Sequence, residues 1–242
     1  MMDTVKSLYL RVWQQQGLLL RASWMWLLVA YVGQVLAGPS AAADLSVVSP
    51  LQIIGLLLHV FAVLAAWYCA HRAMIDSSQP EWKPGTRQLR FVGTQVVNVL
   101  ALALLASVLL TPLVVWLSLR MPDLQREEIM RHANTINWLA FPFILWLFGR
   151  LLLVAPMMAR GEKTASRRSW RLTKGHGGRL FALQLAALLP CVAGAAASLP
   201  LPPVVGAAVN LAGIVYSLWL YTQLGEDEYK RLAIAGSYAS SR

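Results

Sequence analysis

The chain alternates between long apolar runs and short polar connections, a rhythm far too coarse for strands. A membrane β-barrel would show segments of about ten residues with alternating polarity. Runs such as "VVNVLALALLASVLL" show none. Six runs stand out: Leu18–Leu36, Leu51–Met74, Phe91–Leu117, Ile136–Met158, Leu180–Leu199 and Val204–Leu224. Each is long enough to cross ~30 Å of hydrocarbon at ~1.5 Å per residue. A chain in lipid must satisfy its own backbone hydrogen bonds, so the runs predict helices. The expected fold class is all-α: a polytopic transmembrane helical bundle of about six spans, forming a single integral membrane domain over 1–242.

The connections carry their own signals. Residues 1–17, "MMDTVKSLYLRVWQQQG", place Val5, Leu8, Val12 and Trp13 at helical spacing, with Lys6 and Arg11 able to reach headgroups, and predict an interfacial helix. "LPLPP", Leu199 to Pro203, makes the last two spans an antiparallel hairpin, and "SVVSP" forms a turn before the second span. Pro112 and Pro156 each remove a helical hydrogen bond and are expected to kink their spans. A small-residue pattern at Ala41 to Ala43 resembles a secretory cleavage site, but the apolar run before it can span the bilayer and is read as a retained first helix. Residues 225–242 are expected to be a cytoplasmic tail.

Composition sharpens this picture. Only 13% of the residues are charged, about half of what a soluble domain carries, and 57% are hydrophobic. The net charge of +10 does not point to nucleic acid, because no recognition module accompanies it. Its distribution is topological. Seventeen of the 21 Lys and Arg residues fall in the N-terminal segment, the second and fourth connections and the tail; three lie in the third connection, Arg120, Arg126 and Arg131; Arg150 lies inside a span. That bias places both termini in the cytoplasm. Cys69 and Cys191 lie within spans, outside any CxxC pair, and read as packing residues.

The candidate chemistry is sparse. None of the eleven acidic residues falls in an expected span, which lowers the prospect of a carboxylate proton relay. His59 and His71 are expected to bond across helices rather than hold a metal. Gln95, Asn98, Asn137, Gln184 and Asn210 read as interhelical hydrogen-bonding groups or as a polar path. There is no GxSxG, HExxH or P-loop, and "GHGG" lacks the Lys and Ser/Thr of a phosphate loop. No enzyme, metal or cofactor is expected.

Arg150 is the most costly residue. It lies about 15 Å from the expected cytoplasmic edge at Arg160, and no acid is expected within the membrane to pair with it. It either snorkels or caps backbone carbonyls, or it binds a phosphate or other anion. The connector 160–179 is basic: Arg160, Arg167, Arg168, Arg171 and Lys174 are candidate lipid or anion contacts. On a helix Arg167, Arg171 and Lys174 share one face, with "KGHGG" breaking the helix afterwards, so a second interfacial helix is expected there.

The stretch "LLLVAPMMARGEKTASRRSWRLTKGHGGRLF" resembles the YciC-type bacterial inner-membrane proteins and the related membrane domain of glycerophosphodiester phosphodiesterases. The shared features are the Ala155–Pro156 step, the cytoplasmic connector, and Ser169, Leu172 and Thr173 in a Ser–x–x–Leu–Thr helix; Arg150 matches an arginine before the proline. The resemblance implies a bacterial inner-membrane protein with an envelope-related role. No hydrolase activity is implied, since nothing here corresponds to the phosphodiesterase barrel. The resulting expectation is a non-enzymatic scaffold or accessory subunit that contacts anionic phospholipid and a membrane-protein partner. The alternative is a transporter or lipid-translocating protein with Arg150 as its anion-binding group.

Overall fold

A computed structural model describes residues 2–38, 49–76, 85–120 and 142–240. The possible cleavage pattern at 41–43, Asn137, Arg126 and Arg131 lie outside the described residues. The helices are α1 (Met2–Ala37), α2 (Pro50–Ile75), α3 (Thr86–Arg120), α4 (142–150), α5 (Val154–Ala159), α6 (Ala165–Leu172), α7 (Gly177–Ser198) and α8 (Pro203–Ser240). Among the described residues there is no strand. Among the described residues five stretches are long and apolar enough to cross a bilayer: Met2–Ala37, Pro50–Ile75, Pro142–Ala159, Gly177–Ser198 and Pro203–Leu232. The remaining expected span, 91–117, is helical throughout within α3, which runs past Pro112. The chain is an all-α, multi-pass membrane protein.

In lipid the helices gain little from leaving a solvent as apolar as themselves, so close packing and hydrogen bonds must join them. Two pairs of glycines do this. A Cβ on Gly33 of α1 would lie 2.6 Å from the His59 backbone nitrogen, and one on Gly55 of α2 would lie 2.6 Å from that of Ala37. At the α7–α8 crossing, a Cβ on Gly213 would lie 2.5 Å from the Pro190 carbonyl. His59 Nδ1 lies 2.8 Å from the Ala30 carbonyl and bridges the first crossing. Pro190 cannot bond the carbonyl of Ala186 one turn earlier, and the Tyr9 hydroxyl from α1 donates to that carbonyl at 2.7 Å.

Helix boundaries follow local chemistry. Ser49 caps α2 in a capping box: its Oγ accepts from the Gln52 N–H, and its own N–H donates to Gln52 Oε1 at 2.8 Å. Pro203 opens α8 as its first helical residue, after the short hairpin turn.

Two boundaries differ from expectation. The interfacial helix expected over 1–17 continues unbroken into the first span as the single helix α1. The tail expected from 225 is likewise a continuation of α8. Leu220, Leu224, Glu228 and Leu232, four residues apart, are all buried. The helix thus keeps its inward stripe beyond the last apolar run.

Candidate functional site

The N-terminal half of α1, the C-terminal end of α2, the α5–α6 connection, the start of α7 and the far end of α8 meet at one end of the bundle, joined by ion pairs. At the opposite end lie Gly38, Ser198 and Leu201, around a cavity of about 490 Å³ that includes Gln34 and Asn210.

The charged end is organised by three consecutive acids, Glu226, Asp227 and Glu228. Successive residues on a helix point about 100° apart, so the three address different neighbours. Glu226 is 3% exposed and accepts two bonds from Arg160, with Nη1 at 3.0 Å from Oε1 and Nη2 on Oε2; His71 Nδ1 of α2 lies 3.3 Å from Oε1. Asp227 pairs with Arg11 of α1 at 3.0 Å and accepts from Gln223 at 2.9 Å. Glu228, 2% exposed, receives Arg179 of α7 at 3.0 Å and Arg231 at 2.6 Å. The three acids thereby tie α1, α2, the α5–α6 connection and α7 to α8. The three acids follow the expected last span, and α8 carries them on into the end of the bundle.

Arg160 lies under the ring of Tyr229, its guanidinium carbon 4.5 Å from the ring centre. Burial would lower its pKa, but the hydrogen bond and charge of Glu226, with the further negative charge of Glu162, hold it above its ordinary value. Glu162 accepts from the Tyr229 hydroxyl at 3.1 Å and from Arg168 at 2.9 Å.

A second centre surrounds Arg150. Between α4 and α5 the chain turns at 151–153 through i→i+3 hydrogen bonds, such as Leu151 N–H to the Phe148 carbonyl at 3.0 Å. Pro156 opposes the Leu152 carbonyl in that turn and cannot donate to it. Gln184 of α7, in the amide orientation that satisfies both neighbours, donates to the Leu145 carbonyl and accepts from the Gly149 N–H, the two ends of one α4 turn. The Arg150 guanidinium donates to the Thr173 carbonyl at 2.6 Å and sits over Trp146 and Trp170, 4.9 and 5.7 Å from their ring centres. Its own carbonyl accepts from Ser169 Oγ at 2.7 Å, and the Thr173 hydroxyl donates to the Ser169 carbonyl at 2.9 Å. Arg150 therefore docks α6 by side chain and backbone together.

With Ala165, Ser169 and Thr173 turned inward, Arg167, Arg168, Arg171, Lys174 and Trp170 are left exposed. Arg168 is drawn to Glu162, leaving Arg167, Arg171 and Lys174 as the outward cationic face. The chain reverses at Gly175, with φ of +86°, and α7 takes up Gly177 and Gly178, so the break is narrower than "KGHGG". Of the six candidate basic residues, Arg150 and Arg160 meet protein partners inside the bundle, Arg168 meets Glu162, and three face outward. Sequence reasoning missed Glu226, Asp227 and Glu228. Their signal was the unbroken helical spacing from Leu220 to Leu232.

Gln184, Asn210, Gln95 and Asn98 fall on three different helices, and Asn210 alone of these lines the 490 Å³ cavity. Among the described residues no group of three His, Cys, Asp or Glu side chains could hold a metal ion. Compared with known proteins, the chain matches no protein-family profile, no curated protein and no solved structure.

Proposed function

We propose that this chain is a non-enzymatic integral protein of a bacterial inner membrane, with both termini cytoplasmic. In this reading it engages anionic phospholipid through α6 and serves as a scaffold or accessory subunit of a larger envelope complex. The observation that carries the reading is the two-sidedness of α6. One face is fastened to Arg150; the other presents Arg167, Arg171 and Lys174 beside the exposed ring of Trp170. Each such charge near an anionic leaflet is worth about 1 kcal/mol, and an indole at the rim suits the headgroup layer. The gathering of Arg11, Arg72, Arg160 and Arg179 at the same end supports the orientation.

The YciC-type resemblance belongs to the same proposal. Its support is that Arg150, Ser169 and Thr173, which carry the likeness, bond one another. Transport through Arg150 has less in its favour. Its guanidinium is engaged by a backbone carbonyl, and neither of the cavities at the two ends of the bundle is lined by it.

The test is lipid retention. The full chain and the variant Arg167→Ala/Arg171→Ala/Lys174→Ala are purified in mild detergent, and co-purifying phospholipids and proteins are identified by mass spectrometry. The proposal expects the triple variant to lose most of its anionic lipid. Equal retention would remove the basis for lipid engagement by α6, and recovery of the native chain without any protein partner would count against the accessory role.

A further inference from the structure

We infer that the cleft between α1, α7 and α8 at the charged end is a discrete binding site for a phosphate-bearing anion, with a phospholipid headgroup as the ligand that fits its surroundings. The cleft holds a cavity of about 250 Å³ rimmed by Arg11, Arg179, Lys230, Arg231, Asp227 and Glu228. It is separate from the α6 face and from Arg150, and it stands whether or not α6 engages lipid.

The arrangement of charge carries the inference. Four cations and two carboxylates line the cavity, leaving an excess of two positive charges. The acids are not spread among the cations as in a solvated ion-pair surface. Glu228 is buried and receives both Arg179 and Arg231, so one carboxylate holds two guanidiniums side by side. Asp227 fixes Arg11 through both guanidinium nitrogens, at 3.2 and 3.0 Å. The side chains of Arg11, Arg179 and Arg231 stay 41, 45 and 38% exposed. Even Arg11, which also donates to the Ser7 carbonyl and Oγ, keeps one of its five N–H groups, and Arg179 and Arg231 keep more. Lys230 is exposed at the rim. Guanidiniums already oriented by carboxylates lose little freedom on meeting a phosphate, and their planar fork matches two of its oxygens.

Leu8, Leu183 and Leu224 also line the cavity but are only 1–3% exposed, so the charged rim is what a ligand would meet. The three helices that carry the rim are each long and apolar enough to cross a bilayer, which brings lipid headgroups within its reach.

Native mass spectrometry of the full chain in neutral detergent tests this, with dioleoyl phosphatidylglycerol, dioleoyl phosphatidylcholine and inorganic phosphate as probes. One phosphatidylglycerol per chain is expected to bind more tightly than phosphatidylcholine. Lys230→Glu, at an exposed position, is expected to weaken that binding roughly tenfold without lowering the melting temperature, and Lys230→Ala to weaken it less. The triple α6 variant is expected to keep this one lipid, which separates failure of the α6 reading from failure of the site. Displacement of the lipid by phosphate would support a site that reads the phosphate group from either source; lipid binding that resists phosphate while remaining sensitive to Lys230→Glu would support the lipid alone. Equal binding of the zwitterionic lipid, or binding unchanged in Lys230→Glu, would overturn the inference.

Discussion

The Arg150 guanidinium donates to the Thr173 carbonyl at 2.6 Å, while the Arg150 carbonyl accepts from Ser169 Oγ at 2.7 Å. A charge that would be costly in a bare span becomes the peg that holds α6 on the bundle. Arg150→Ala removes a charged donor and leaves the Thr173 carbonyl with the His176 N–H alone, at 3.1 Å. A loss of about 1–3 kcal/mol is expected, read as a lower melting temperature in detergent, with retained anionic lipid unchanged. Loss of lipid at unchanged stability would instead make Arg150 an anion-binding group.

Glu226→Gln should destabilise more. Arg160 would lose its carboxylate while still bonded to the Pro156 carbonyl and covered by Tyr229. Breaking a buried pair by removing one partner costs about 3–5 kcal/mol, and the partial exposure of Arg160 places the expected loss near the lower end. Adding Arg160→Gln should restore part of it, because the uncompensated charge is then gone. Thermal unfolding of the two single variants and the double variant forms a cycle that checks this; strict additivity would mean the pair is not coupled.

How much of this was legible in the sequence differs between the two centres. The spans, the hairpin turn and the basic connector could be read because long apolar runs and clustered arginines are local signals. Arg150 could be singled out for its cost, but its acceptor lies in a separate helix, 23 residues on. The trio at 226–228 was hidden for a different reason. Polarity marked the end of the last span, yet Arg11, His71, Arg160 and Arg179, from distant segments, make a carboxylate inside the bundle tolerable. Pairing across more than 150 residues, as between His71 and Glu226, has no local signature.

The glycine crossings make a steric prediction. In Gly55→Leu the new side chain would start 2.6 Å from the Ala37 backbone nitrogen and 2.8 Å from the Gly33 carbonyl. Neither backbone group can swing aside as a side-chain tip could. Separation of α1 from α2 is expected to cost at least the ~1–3 kcal/mol of an overpacked core, seen as a lower melting temperature. Gly17→Leu, where an added Cβ meets nothing within 4 Å, is the control and should change little.

Sidedness gives a prediction in intact cells. With Cys69 and Cys191 replaced by Ala, a thiol at Leu199 should react with an impermeant maleimide added from outside, and one at Lys174 should be protected. Both positions are exposed, so burial does not decide the outcome.

The central claim is that α6 lies on an anionic leaflet with its cationic face toward the headgroups. The most direct measurement is the depth of a spin label at Trp170→Cys in bilayer discs, read by power-saturation paramagnetic resonance. The account predicts a label at headgroup depth in phosphatidylglycerol-containing discs that moves toward water in pure phosphatidylcholine or in the Arg167→Ala/Arg171→Ala/Lys174→Ala background. A label at the same depth in every lipid and background would contradict it.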